Sequence, residues 1–237
     1  GMRNAIHRSN SKKLKVLIQD EFKPDAVVCT QAFPCGMVAD YKKYLGLDLP
    51  LFGVLTDHAP HSYWIFDNVD YYIVPSEVSR NHFMRNGVSD AKIRVFGIPI
   101  DLKFSKNHKE EDVHKKLGAD SLKRTVLVMG GSQGMGPVEK MLDSLERVAF
   151  DFQIMVVCGI NKRLYKTLSK RAKRYKKKML VFGLTENIEE LMEASDIIIT
   201  KPGGLTTSEA LAKNLPMIII HPIPGQETKN TDFLLQQ

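Results

Sequence analysis

Asp196-Ile197-Ile198-Ile199-Thr200-Lys201-Pro202-Gly203-Gly204-Leu205-Thr206-Thr207-Ser208-Glu209-Ala210-Leu211 runs from an apolar, β-branched segment through Lys-Pro-Gly-Gly into a helical pattern. A short run that is apolar throughout, rather than alternating, reads as a strand buried on both faces of a parallel sheet. In such sheets ligands bind beyond the carboxyl ends of the strands, so the strand-to-helix loop is the place to look for chemistry. Here two glycines open a tight turn, and the hydroxyls of Thr206, Thr207 and Ser208 crowd a helix N-terminus. Exposed amides, hydroxyls and the positive helix end together suit a diphosphate. Thr206 and Glu209 also have the S/T-x-x-E spacing of a capping box, so Glu209 reads either as a cap or as a ligand.

Outward from this stretch the same alternation repeats. Strand candidates are Asp25–Thr30, Leu51–Thr56, Tyr71–Val74, Ile93–Phe96, Thr125–Met129, Phe152–Cys158, Met179–Phe182, Asp196–Thr200 and Met217–Ile220. Between them lie helical stripes such as Leu14, Leu17, Ile18 and Phe22, or Leu164, Leu168 and Tyr175. Strand–helix alternation of this kind implies an α/β, doubly wound architecture. Leu102 to Arg124 is polar and has no strand signal, and reads as a linker with one short helix, Glu111–Leu117. The implied domains are 1–103 and 104–237, each small for its class. With a last helix that has no C-cap signal, both domains read as truncated.

Three further loops could carry chemistry. Gly130-Gly131-Ser132-Gln133-Gly134-Met135-Gly136-Pro137 follows a strand and leads into a helix that Pro137 is suited to start. Its glycines let backbone N–H groups approach a phosphate. It is neither a Walker A loop, since Pro137 stands where that motif has Lys, nor G-x-G-x-x-G, since Glu139 stands at the third position. His221-Pro222-Ile223-Pro224-Gly225-Gln226-Glu227 places an amide beside a carboxylate in the first turn of the last helix, a pair suited to vicinal sugar hydroxyls. Leu55-Thr56-Asp57-His58-Ala59-Pro60-His61-Ser62-Tyr63-Trp64 gathers a carboxylate, two imidazoles and the only Trp, and His–Asp proximity is what general-base chemistry requires. The bland reading of this loop is a polar surface segment with a half-buried Trp.

Composition removes other classes. The chain has 237 residues, 43% hydrophobic and 26% charged, as in an ordinary globular protein. Three cysteines and no C-x-x-C pair are too few for a disulfide framework or a zinc site, and read as buried free thiols in a reducing compartment. No apolar run approaches the ~20 residues of a membrane span, and Gly1 ahead of Met2 reads as a tag remnant rather than a leader. The sequence therefore reads as soluble and cytoplasmic. The formal charge of +7 has one address: Lys162 to Lys178 holds ten Lys/Arg and no acid, leaving 24 basic against 27 acidic residues elsewhere. Such a segment reads as a crossover helix with a cationic outer face; a solvated face is the default reading, and an anionic membrane surface is the alternative partner if the substrate is a lipid. Nucleic acid is not implied, because no aromatics interleave with the basic residues.

The loops taken together resemble glycosyltransferase family 28, in the branch of processive diacylglycerol glucosyltransferases and monogalactosyldiacylglycerol synthases. The resemblance rests on Gly130-Gly131-Ser132, Val157-Cys158-Gly159-Ile160-Asn161, Phe182-Gly183, and the block from Lys201 to Ala210 running on to Pro222-Ile223-Pro224-Gly225-Gln226-Glu227. In the first half, Thr56-Asp57, His61, Trp64 and Gly97-Ile98-Pro99-Ile100 fit the same pattern. The resemblance implies a GT-B fold of two Rossmann-like domains and transfer of a hexose from UDP-glucose or UDP-galactose to a diacylglycerol-type lipid. The reaction would be inverting and metal-independent, and would use no cofactor, the UDP-sugar being a donor substrate.

Carried over residue by residue, Phe182 and Gly183 would lie by the uracil and Glu209 by the ribose. Gly131, Ser132, Gly204, Thr206 and Thr207 would meet the diphosphate, with Gly159 beside them, and Gln226 and Glu227 the sugar. Among residues present, Asp57 and His61 are the base candidates. The pattern departs in one place: no Gly-rich loop ending in His occurs, since no Gly-Gly precedes any His. The related alternatives are a UDP-GlcNAc transferase acting on an undecaprenyl-linked acceptor, and a non-catalytic nucleotide-sugar or membrane-docking module. The implied location is cytoplasmic, at the inner face of the membrane.

Overall fold

The computed structural model describes residues 13–236, apart from 107–109, 132, 135, 221, 223 and 224. The chain divides into two units, one ending at Pro99 and the other beginning at Ile100.

The first unit is a four-stranded parallel sheet in the order β1 (Val27–Cys29), β2 (Leu51–Val54), β3 (Tyr71–Val74), β4 (Ile93–Val95). Helices α1 (Ala32–Leu45) and α2 (Glu77–Arg85) cross over between strands, as parallel pairing requires. Leu51, Leu55, Tyr72, Val74 and Phe83 fill the core together with Trp64, which is buried rather than half-exposed. Gly36 lets α1 approach the loop that leads into β3: a Cβ there would lie 2.4 Å from the Phe66 ring. At the opposite end of the helix, Lys42 pairs with Asp70 at 2.5 Å, and Asp70 also accepts the Leu51 N–H at 2.7 Å. Burial raises the Asp70 carboxyl, but Lys42, the Leu51 amide and Lys92 outweigh it and hold the group below the usual carboxylate range.

The N-terminal helical segment departs from its expected stripe. Leu14 and Ile18 pack on the core, whereas Leu17 and Phe22 face outward. Residues Val16–Glu21 form π-type turns, with the Phe22 N–H bonded to the Leu17 carbonyl, and the wider turn breaks the 3.6-residue stripe.

The second unit is a five-stranded parallel sheet of β5 (Thr125–Met129), β6 (Gln153–Val157), β7 (Met179–Phe182), β8 (Ile197–Thr200) and β9 (Met217–Ile219), in the order β7-β6-β5-β8-β9. Its helices are α3 (Glu110–Leu117), α4 (Val138–Glu146), α5 (Lys162–Ala172), α6 (Ile188–Glu193), α7 (Gly204–Ala212) and α8 (Gln226–Leu234). The pleat sorts the strands onto two cores. Leu127, Met155, Val157 and Ile198 face one layer, and Val128, Ile154, Val156 and Ile199 face the other. All five residues of β6 are buried, as expected of a strand covered on both faces.

Leu102–Arg124 is not a linker. Phe104, on a short 3-10 turn at Leu102–Ser105, and Val113 of α3 are buried in the second unit's core, so this unit begins earlier than the expected boundary at 103/104. The polar residues mislead because they edge the segment while Phe104 and Val113 supply its buried face.

Candidate functional site

In the second unit the chain starts at β5, moves outward to β6 and β7, then crosses back to β8 on the other side of β5. The reversal lies between β5 and β8, and a crevice opens at such a switch point beyond the strand ends. Met129 of β5 pairs with Thr200 of β8, so Gly130 and Lys201 leave the sheet side by side. The two glycine-bearing loops picked out from sequence are therefore the two that flank the crevice.

The first loop has a shape that only glycine permits. Gly131, Gly134 and Gly136 all have positive φ. A Cβ on Gly134 would lie 2.2 Å from the Cys158 carbonyl oxygen, so this loop packs directly on the turn after β6. Gly159, a predicted donor-binding residue, is buried in that turn with φ +56°, and Asn161 caps α5 by accepting the Leu164 N–H at 2.9 Å. Ser132 lies outside the described residues.

The second loop opens α7. Gly203 is its N-cap, extended and without a side-chain cap, and Thr207 N–H to Gly203 C=O (3.0 Å) is the first helical bond. The amides of Gly204, Leu205 and Thr206 precede that bond and have no helical acceptor. Thr206 is thus inside the first turn rather than at the cap, which removes the capping-box reading of Glu209. Thr207 is corrected as a ligand: it is fully buried, and its hydroxyl donates back to Gly203 O at 2.8 Å and Gly204 O at 3.2 Å. Thr206, half-buried, keeps the outward position.

Glu209 sits in the second turn of α7, half-buried beside Lys103 and Glu189. Burial pushes its carboxyl up to about 7, Lys103 opposes the rise, and Glu189 adds to it. Lys103 itself pairs with Glu189 at 3.0 Å and reaches the Glu186 carbonyl. Phe182 ends β7 at the same edge of the sheet, and Gly183 follows it. Glu227 lies in the first turn of α8; the side chain of Gln226, which opens that helix, lies outside the described residues. Fully buried Asn230 ties this last helix to the phosphate side, donating from Nδ2 to the Pro202 carbonyl at 3.0 Å.

Sequence reasoning overlooked three residues here. Asn230 could have been noticed as an amide on the core face of a short helix. Lys201 flanks the Gly-Gly pair, but only the strand register shows that it stands next to Gly130. Lys103 lay in what read as a linker.

In the first unit, the loop after β2 is fixed to the end of β1 by Thr56 Oγ1 donating to Thr30 O at 3.3 Å. His58 is buried, and that burial lowers its pKa against the pull of Asp57. Its carbonyl accepts the Ser79 hydroxyl at 3.2 Å. His61 is half-buried; its ring contacts Tyr63, and its Nδ1 accepts the Tyr63 N–H at 3.1 Å. Asp57 and His61 share the loop at the carboxyl edge of this unit's sheet. Among the described residues no group of three or more His, Cys, Asp or Glu is placed to hold a metal ion.

Known proteins match both units. Residues 3–100 match the family model for monogalactosyldiacylglycerol (MGDG) synthase, and residues 125–232 that for the glycosyltransferase family 28 C-terminal domain. A processive diacylglycerol beta-glucosyltransferase of Bacillus pumilus is 34% identical over 97% of this chain and 59% of its own length. The enzyme of the same name from Bacillus cereus strain B4264 is 38% identical over 94% of this chain and 56% of its own. The chain thus spans somewhat over half the length of these relatives. Among solved structures, Acinetobacter baumannii MurG superposes with a TM-score of 0.63 at 16% identity, covering 97% of this chain and 61% of that one. Anabaena HepE in complex with UDP-glucose superposes at 0.54 with 15% identity, covering 99% and 71%. At these identities the likeness concerns the fold, and the fold is of GT-B type.

Proposed function

We propose that the chain belongs to glycosyltransferase family 28, on its diacylglycerol branch, and that it transfers a hexose from a UDP-sugar to diacylglycerol to make a membrane glycolipid. The observation that carries this reading is the switch-point crevice, where a Gly-shaped loop and the open first turn of α7 meet across β5 and β8. Unpartnered amides and a helix N-terminus stabilise negative charge there, as the departing diphosphate requires. Phe182 and Gly183 border the uracil, Glu209 takes the ribose, and Gly131, Ser132, Gly204 and Thr206 serve the diphosphate. Gln226 and Glu227 hold the sugar, and UDP-glucose and UDP-galactose are the donors to test.

At the acceptor, the oxygen of the lipid hydroxyl attacks the anomeric carbon with inversion while the bond to the diphosphate breaks. His61 is recast by its own hydrogen bond. With Nδ1 accepting the Tyr63 N–H, the neutral ring carries its proton on Nε2 and presents a donor, not a base. Asp57 is then the group that takes the hydroxyl proton, and His61 orients the oxygen. The reaction needs no cofactor and no metal in this reading.

The work surface is the inner face of an anionic membrane, to which the protein binds peripherally. Among the described residues no helix is long and apolar enough to cross a membrane. Lys162, Arg163, Lys166, Lys170, Lys173 and Arg174 are exposed, and a hollow of about 460 Å³ is lined by Lys170, Arg171, Lys173 and Arg174, a size and charge suited to an anionic head group.

Calorimetry tests the donor half of the proposal. UDP should bind in the micromolar-to-millimolar range, roughly −4 to −8 kcal/mol, and better than AMP or GMP. Equal binding of all three, or none, would sink it. Labelled UDP-glucose, UDP-galactose and UDP-GlcNAc offered with diacylglycerol then identify the sugar and separate this reading from peptidoglycan-type transfer.

A further inference from the structure

Lys201 stands directly after β8, across the switch point from Gly130. Its side chain crosses to the neighbouring loop: Cε lies 3.7 Å from where a Cβ on Gly136 would be. Gly136 has φ +112°, so no side chain competes for that space. The Lys201 carbonyl accepts the Gly203 N–H at 2.8 Å, which turns the chain sharply into α7 and fixes the stem of the lysine at the mouth of the crevice. The residue is half-buried, and among the described residues no carboxylate pairs with it. Two lysines whose side chains are well buried are each matched by an acid, Lys42 by Asp70 and Lys213 by Glu193. A lysine held between two phosphate-shaped loops, without an acid to neutralise it, is a cation kept for an anion that arrives from outside.

We propose that Lys201 neutralises the charge that develops on the departing nucleoside diphosphate, and so serves the transfer as its fixed cation. The inference rests on the donor reading above and adds a residue to it. In the step concerned, the bond from the anomeric carbon to the β-phosphate oxygen breaks and its electron pair stays on that oxygen. The acceptor oxygen forms the new bond, and its proton passes to a general base. The diphosphate thereby gains a negative charge beside the Lys201 ammonium. The helix end alone offers only about half an elementary charge, whereas the lysine supplies a full one at a point that the strand register fixes.

Titration calorimetry with UDP and with uridine on three chains tests this. Lys201→Met keeps the aliphatic stem over Gly136 and removes the charge; Lys201→Arg keeps the charge. The Met variant should bind UDP about ten- to hundred-fold more weakly, as for loss of one charge-assisted contact. Its uridine affinity and thermal midpoint should not change, and Lys201→Arg should recover most of the UDP affinity. Unchanged UDP affinity in Lys201→Met overturns the role of Lys201 and leaves the donor site standing. Equal losses for UDP and uridine, or a Met variant that no longer folds while the Arg variant binds no better, assign the lysine to structure and overturn it as well. An unsubstituted chain that binds neither UDP nor uridine removes the donor site itself.

Discussion

Gly134 shows how one atom can govern a site. Any side chain there meets the Cys158 carbonyl at 2.2 Å and must also adopt φ +56°. Gly134→Ala should cost about 1–3 kcal/mol in denaturant unfolding, as expected for a strained backbone position. It should also weaken UDP binding by more than Gly131→Ala does, because only Gly134 touches the turn after β6. Glu209 gives a pH signature. Its folded-state carboxyl is raised by burial, so the folded chain keeps a proton that the unfolded chain has already lost. The group therefore favours folding below the ordinary carboxylate range, and that contribution fades as the pH climbs toward about 7. Ribose hydroxyls donate best to the ionised form, so UDP affinity should increase as the pH rises through the same window, and Glu209→Gln should flatten the profile. An unchanged profile in that variant would exclude Glu209 from nucleotide binding.

At the scale of elements, the strands were the most legible feature. Unbroken β-branched runs have few alternatives, and all nine appear within a residue or two of their expected ends. Helix starts were harder. Thr206-x-x-Glu209 has the spacing of a capping box, but the Gly203-Gly204 pair lets the helix begin earlier, and no local pattern reports that. The cationic helix shows the same limit. Sequence places its charges on an outer face, yet Arg171 pairs with Asp143 and Glu146 of α4 and lies 5.2 Å from the Tyr175 ring centre. Lys177 donates to the Phe150 carbonyl at 2.6 Å. Which lysines are latches and which are free depends on a partner helix far away in sequence. Between elements, buried Gln153 closes a polar knot: it accepts the Asp120 N–H at 2.9 Å and donates to the Asp120 carbonyl at 2.7 Å and the Thr125 hydroxyl at 2.9 Å. Gln153→Leu should lower unfolding free energy by about 1–3 kcal/mol, the cost of stranding buried polar groups, while leaving UDP binding intact.

Over the whole molecule, charge and chemistry are set apart. The crevice lies at the carboxyl edge of the second sheet, whereas the hollow lined by Lys170, Arg171, Lys173 and Arg174 belongs to the last turn of α5 and the residues after it. Flotation with vesicles should therefore separate two functions. Reversing Lys166, Lys170 and Lys173 to Glu should abolish binding to anionic vesicles without changing UDP affinity. Vesicle binding that ignores both the substitutions and added salt would remove the membrane role.

The burial of the three free cysteines carries one more consequence. Cys29 and Cys35 lie in the core of the first unit and Cys158 in that of the second. Each unit thus carries its own internal clock. A thiol reagent can reach these sulfurs only when the surrounding packing opens, so the rate of labelling reads the opening free energy of each half separately. Cys29, whose thiol is acidified by its hydrogen bond with Cys35 despite burial, should mark the first unit, and Cys158, pushed up to about 11 by burial, the second. Adding UDP should slow the second clock and leave the first running at its own pace.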